Sequence, residues 1–146
     1  MYKKTLVRIV LAVSLGFVCC WSSASEAKLA VVANVDNPVN SITAEELVSI
    51  FLGKSRCLDS GVKVVPLDQI EGETARAEFY NKVIKKSPSQ LNSYWSRLIF
   101  AGKGRPPYAV SDDQEVLEFV SANRSMIGYV DMSAVDDSVK VILTIN

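Results

Sequence analysis

The chain has 146 residues, with 16 lysines and arginines against 16 aspartates and glutamates, three cysteines and no histidine. The missing histidine removes the commonest metal ligand and the commonest general base together. No basic tract or interleaving of aromatic and basic residues stands out, so nucleic acid is not an expected partner.

Lys3 and Lys4 give a positive start, and an apolar run follows from Leu6 to Trp21. Arg8 interrupts that run, which is shorter than the roughly 20 apolar residues a spanning helix needs. Ser22 and Ala24 are small side chains where a signal peptidase accepts them, so residues 1–24 are expected to be a cleaved secretory signal. Cys19 and Cys20 follow the bulky Val18, where lipoprotein signals usually carry a small residue, so the mature chain is expected to have no membrane anchor. Losing Lys3, Lys4 and Arg8 from the 16 basic residues leaves 13 against 16 acidic ones, a formal charge of −3. Only Cys57 would remain, which excludes an internal disulfide. With no histidine to activate it, that thiol is expected to be a loop or core residue.

Residues 25–146 have the size of one domain. Lys28 to Val35 is rich in β-branched residues and stops at Asp36-Asn37-Pro38, which predicts a buried strand. Thr43 three residues before Glu46, with Ile42 before it and Leu47 after, forms a capping box with a hydrophobic staple. The helix that follows carries Leu47, Ile50 and Phe51 on its apolar face and stops at Gly53. A second strand is expected from Val62 to Leu67, ending at Asp68, and a second helix from about Thr74 to Lys86. Ser87-Pro88-Ser89-Gln90 opens a third helix with proline at its first position and a capping box. Leu91, Tyr94, Trp95, Leu98 and Ile99 should face inward there, with Gly102 and Gly104 after them. Ser111 to Gln114 repeats the pattern before Val116, Leu117, Phe119 and Val120. Met126 to Val130 and Val139 to Ile145 are the last strands, with Val139, Val141, Leu143 and Ile145 expected on one face. Strands separated by helices predict an α/β sandwich around a mixed or mainly parallel sheet.

The segment from Asp68 to Arg76 lies between a strand's carboxyl end and a helix start, where ligands bind in open α/β sheets. The first helical turn leaves N–H groups without intrahelical partners, and the helix dipole favours an anion there. Gly72 lets backbone come close, Thr74 can donate a hydroxyl, and Arg76 offers a planar fork suited to phosphate or carboxylate oxygens. Asp68 can accept a hydrogen from a protonated oxyanion. The same residues also admit a purely structural role, with Thr74 capping the helix, Asp68 capping the loop and Arg76 paired with Glu73 or Asp68. Tyr94 and Trp95 fit core packing, and Lys103 to Pro107 reads as a basic, stiff loop. No catalytic triad, nucleotide-binding loop, metal cluster or cofactor motif is present in the sequence, so catalysis is not expected.

The order of features resembles a known family. Ile42-Thr43-Ala44-Glu45-Glu46-Leu47 leads to Ile50-Phe51-Leu52-Gly53-Lys54, followed by Thr74-Ala75-Arg76-Ala77-Glu78-Phe79. Tyr94-Trp95, Phe100-Ala101-Gly102-Lys103-Gly104 with Pro106-Pro107, and Ile127-Gly128-Tyr129-Val130 come after. Over nearly all of residues 25–146 the chain resembles the phosphate-binding proteins of ABC transporters, in the type II periplasmic binding protein superfamily. The resemblance implies a three-layer sandwich like one lobe of such a protein, with a mixed sheet flanked by helices. It implies a periplasmic location and a small inorganic anion, phosphate or a relative, held for transport or sensing at Gly72, Glu73, Thr74 and Arg76, with Asp68 beside them. An ABC permease or another envelope protein is the implied partner. Glu71 and Glu73 depart from the family's small hydroxyl residues, and about 120 residues make one lobe of two. The alternative expectation is a non-catalytic interaction module on the same scaffold that has lost its ligand.

Overall fold

Helices and strands alternate as the spacing predicts in the computed structural model, which describes residues 28–146. The expected signal sequence, residues 1–24, lies outside the described residues. The elements are β1 (Leu29–Asn34), α1 (Ala44–Phe51), β2 (Val65–Gln69), α2 (Thr74–Phe79), α3 (Pro88–Phe100), β3 (Tyr108–Val110), α4 (Asp113–Ala122), β4 (Met126–Asp131) and β5 (Val139–Ile145). The strands form one mixed sheet in the order β3-β2-β4-β1-β5. β2 runs parallel to β3 and β4, and β1 runs antiparallel to β4 and β5.

Three layers follow from the alternation of side chains along β1, whose six residues are all buried. Leu29, Val31 and Ala33 face a core shared with α1, α2 and α3, where Phe51, Phe79, Leu91 and Trp95 pack. Ala30 and Val32 face the other side, where Val116, Leu117 and Val120 of α4 cover the sheet. α4 lies close because β4 carries Gly128 there. A Cβ at that position would stand 2.6 Å from Val116 Cγ1, well inside van der Waals contact. This is an α/β sandwich with a mixed sheet, as expected.

Two helix starts match the sequence in detail. Thr43 Oγ1 accepts from Glu46 N at 3.2 Å while Glu46 Oε2 accepts from Thr43 N at 2.9 Å. Ser87 and Gln90 exchange the same pair of bonds at the start of α3. At α4 the cap is one residue later than predicted: Asp112 caps through Glu115 N at 2.9 Å, and Ser111 N donates to Glu115 Oε2.

Four expectations need correction. The second strand is shifted, from the expected Val62–Leu67 to Val65–Gln69, because Val62 and Lys63 belong to a turn in which Lys63 bridges Cys57 and Leu58 N donates to Val62 O. Asp68 therefore lies inside a buried strand. The second helix stays α-helical only to Phe79, widens into a π-helical turn over Tyr80–Ile84, and ends at Lys85 with φ 56°. Ile99 is 56% exposed instead of inward, because the face that α3 turns to the core runs through Leu91 and Trp95, with Tyr94 and Leu98 packed beside them. In β5 a bulge opposite Val31 and Val32 reverses the pleat, so Leu143 and Ile145 pack against one core while Val139 belongs to the other and Val141 is exposed. β3, with only three residues, was not predicted.

Candidate functional site

β2 delivers Asp68 to the buried end of the parallel strands, where its carboxylate organises the surrounding side chains. Asp68 is 4% exposed. Its Oδ1 accepts from the Tyr129 hydroxyl of β4 and from Gln69 N at 2.8 Å, and its Oδ2 accepts from the Tyr80 hydroxyl at 2.6 Å. Tyr129 reaches that position as part of an aromatic stack, its ring parallel to Phe79 at 4.0 Å. Tyr80 reaches it from the first residue of the π-helical turn. Burial, and then the neighbouring Asp68 carboxylate, push both phenols well above their ordinary range, so both remain donors at any physiological pH.

Arg76 is the second layer of this arrangement. Its Nε stands 3.6 Å from Asp68 Oδ2 and its Nη1 3.9 Å from Glu71 Oε1. Its guanidinium carbon lies 4.7 Å above the Tyr80 ring centroid, a cation–π geometry. Both carboxylates are at ion-pair range, and the buried Nε has no hydrogen-bond partner among the described residues. The fork thus keeps an unused donor while its charge is balanced. The expected pairing with Asp68 is present, and Glu71 takes the place of Glu73 as the second acid.

Glu73 is the N-cap of α2 and makes no side-chain capping bond. Thr74 is consequently the first helical residue and not the cap, so the first-turn N–H groups keep no side-chain acceptor. Gly72 precedes them with φ 102°, which an L side chain rarely adopts, and a Cβ there would meet nothing within 4 Å. This turn opens on a surface concavity of about 770 Å³, which Gly72, Glu73, Thr74 and Arg76 line together with Lys85 and Lys86. Four of the five predicted site residues are thereby brought together. Asp68 is not on that surface; it touches the concavity only through Arg76 and Tyr80.

Sequence spacing missed Tyr80, Tyr129, Gln69, Lys85 and Lys86. The one signal available was a tyrosine inside the apolar run Met126 to Val130, since a buried tyrosine hydroxyl needs a partner. Gln69 fixes the other side of the strand end, donating to Asp113 Oδ1 at 2.7 Å and to Tyr129 O at 3.0 Å.

No family model and no curated protein matches the chain. Solved structures match its fold. A phosphate transport receptor of ABC type from Vibrio cholerae superposes with a TM-score of 0.63 at 22% identity, over 80% of this chain and 46% of that one. A chain described as a phosphate ABC transporter substrate-binding protein with bound phosphate, from Clostridium perfringens, gives 0.60 at 19% identity, over 80% and 45%. PstS from Borrelia burgdorferi gives 0.58 at 14% identity, over 80% and 47%. The chain spans a little under half the length of these structures, and its fold resembles one lobe of them.

Proposed function

We propose that this protein binds phosphate or a related small oxyanion at the Gly72–Arg76 turn, for transport or sensing in the periplasm, without catalysis. The carrying observation is the uncapped first turn of α2 opening on the same concavity that Arg76 lines. Backbone N–H groups and the Thr74 hydroxyl supply donors, Gly72 leaves room for close approach, and Arg76 supplies charge. Asp68 and Tyr80 hold the guanidinium in place from behind. Glu73 adds a carboxylate that accepts a hydrogen bond only from a protonated anion, which favours phosphate over sulfate near neutral pH. The phosphate held by a chain of the same fold supports the choice of ligand class. Calorimetry with phosphate and with sulfate tests the proposal: heat is expected with phosphate and is lost in Arg76→Ala. No heat at millimolar phosphate, or binding unchanged in Arg76→Ala, overturns it.

Two observations favour a second reading, an interaction module that binds no ligand. The charge of Arg76 is already met by Asp68 and Glu71, and Ile99 and Phe100 are 56% and 98% exposed. A stable envelope-protein complex that dissociates on Phe100→Ser, together with no heat from phosphate, is the result expected from that reading.

A further inference from the structure

The outer face of α3 carries a second concavity, of about 310 Å³, lined by Lys86, Ser89, Gln90, Ser93, Tyr94 and Arg97. Ser89, Ser93 and Arg97 stand four residues apart and so form one row along the helix, with Gln90 and Tyr94 in the next. The row is about 12 Å long at the rise of an α-helix. Lys86 precedes the helix and returns to it, its ammonium 5.8 Å from the Tyr94 ring centroid. Tyr94 is in turn fixed by its hydroxyl, which donates to Leu52 O at 2.7 Å. A held cation therefore stands one helical turn from Arg97.

The chemistry of the lining is one-sided. Lysine, arginine and the Gln90 amide nitrogen only donate, the two serine hydroxyls can donate as well as accept, and Gln90 Oε1 is already used by Ser87 N. No carboxylate lines the concavity. From Phe79 through Ser111 the sequence contains no aspartate or glutamate at all, while it carries Lys82, Lys85, Lys86, Arg97, Lys103 and Arg105. None of the ion pairs among the described residues involves Lys86 or Arg97. These cations are scattered in the sequence, and α3 gathers two of them on one face. A site rich in donors and poor in acceptors does not suit a neutral polyol, whose hydroxyls need acceptors as well. It suits a ligand whose oxygens only accept. The length of the row exceeds one phosphate group several times over.

We propose that this face of α3 binds an anion built of linked phosphate groups, bridging Lys86 and Arg97 with Ser89 and Ser93 between them. The site is separate from the Gly72–Arg76 turn, although Lys86 lines both concavities, and it stands whether or not that turn takes an oxyanion. The test is calorimetry of the protein with orthophosphate, pyrophosphate and tripolyphosphate, in wild type, Lys86→Gln/Arg97→Gln and Arg76→Ala. Tripolyphosphate is expected to bind at least about tenfold tighter than orthophosphate, and the double variant to lose about tenfold or more, the scale of one charged hydrogen bond. Arg76→Ala should keep tripolyphosphate affinity, which separates this site from the first. Arg56→Gln/Lys63→Gln, an equal loss of two charges at exposed positions, should change nothing. Far-UV circular dichroism checks the fold of the double variant, and Lys86→Gln alone serves if that variant unfolds. Tripolyphosphate binding that survives loss of Lys86 and Arg97 overturns the proposal. So does binding to phosphatidylglycerol vesicles with none to tripolyphosphate, which would assign the face to phosphates fixed on a lipid surface.

Discussion

Replacing Tyr129 by phenylalanine removes one oxygen from the centre of the site and nothing else. The ring keeps its stack on Phe79 at 4.0 Å and its tilt against Phe51 at 5.8 Å, so packing is unchanged and the loss isolates the hydroxyl. That hydroxyl donates to a carboxylate 4% exposed, where water has little access to replace it. A hydrogen bond to a charged group contributes about 1.5–3 kcal/mol, and the burial places Tyr129→Phe near the upper end. With a urea slope of about 1–3 kcal/mol/M for a domain of this size, the midpoint should fall by about 1 M. Trp95 is buried and reports unfolding by fluorescence. Tyr80→Phe should cost somewhat less, since Tyr80 sits nearer the surface. The double variant should deviate from additivity by more than about 0.5 kcal/mol, because both hydroxyls serve one carboxylate. A loss below about 0.5 kcal/mol in Tyr129→Phe, at unchanged slope, would refute the assignment of Asp68 as the charged hub.

The same phenols set an alkaline limit. Both are raised above their ordinary value of 10.0 in the folded state, so the native chain holds protons that the unfolded chain releases. Their contribution is fully present below pH 10.0 and is lost as pH rises beyond it; phenolate absorbance from Tyr80 and Tyr129 should appear only with unfolding, and smooth titration of both in the folded protein would contradict their burial. Gly128→Ala should destabilise by about 1–3 kcal/mol, as its methyl overlaps Val116, and thermal denaturation that shows no loss would mean α4 moves aside freely. Thr43→Ala should cost about 1 kcal/mol through the lost cap of α1, measured by the same urea titration, with an unchanged midpoint counting against the capping box.

The features legible in the sequence are those whose cause is local. Thr43 with Glu46, and Ser87 with Gln90, interact three residues apart, and both boxes form as read. The site was legible only in its near part, because Gly72 to Arg76 are neighbours in the chain. Its hub was not: Tyr80 and Tyr129 stand 12 and 61 residues from Asp68, and no spacing rule reaches that far. β3 escaped because three residues carry no period, and its pairing to β2 is imposed by the parallel neighbour. The face reversal in β5 escaped because a bulge is a property of two strands together. Val139 to Ile145 alone looks like an unbroken alternation.

A π-helical turn contains one more residue than the α-helical turn it replaces, so Tyr80–Ile84 can be viewed as an insertion absorbed without a loop. Removing one residue there would restore a regular helix and leave the residues after the turn facing as they do now. Ile84 would stay in the core, and Lys85 and Lys86 would still line the concavity at the Gly72–Arg76 turn. Identity at the buried Tyr80 and Ile84 is therefore under stricter constraint than length in this short stretch. Variants of the chain should tolerate deletion of Asn81 better than a polar residue in place of Ile84.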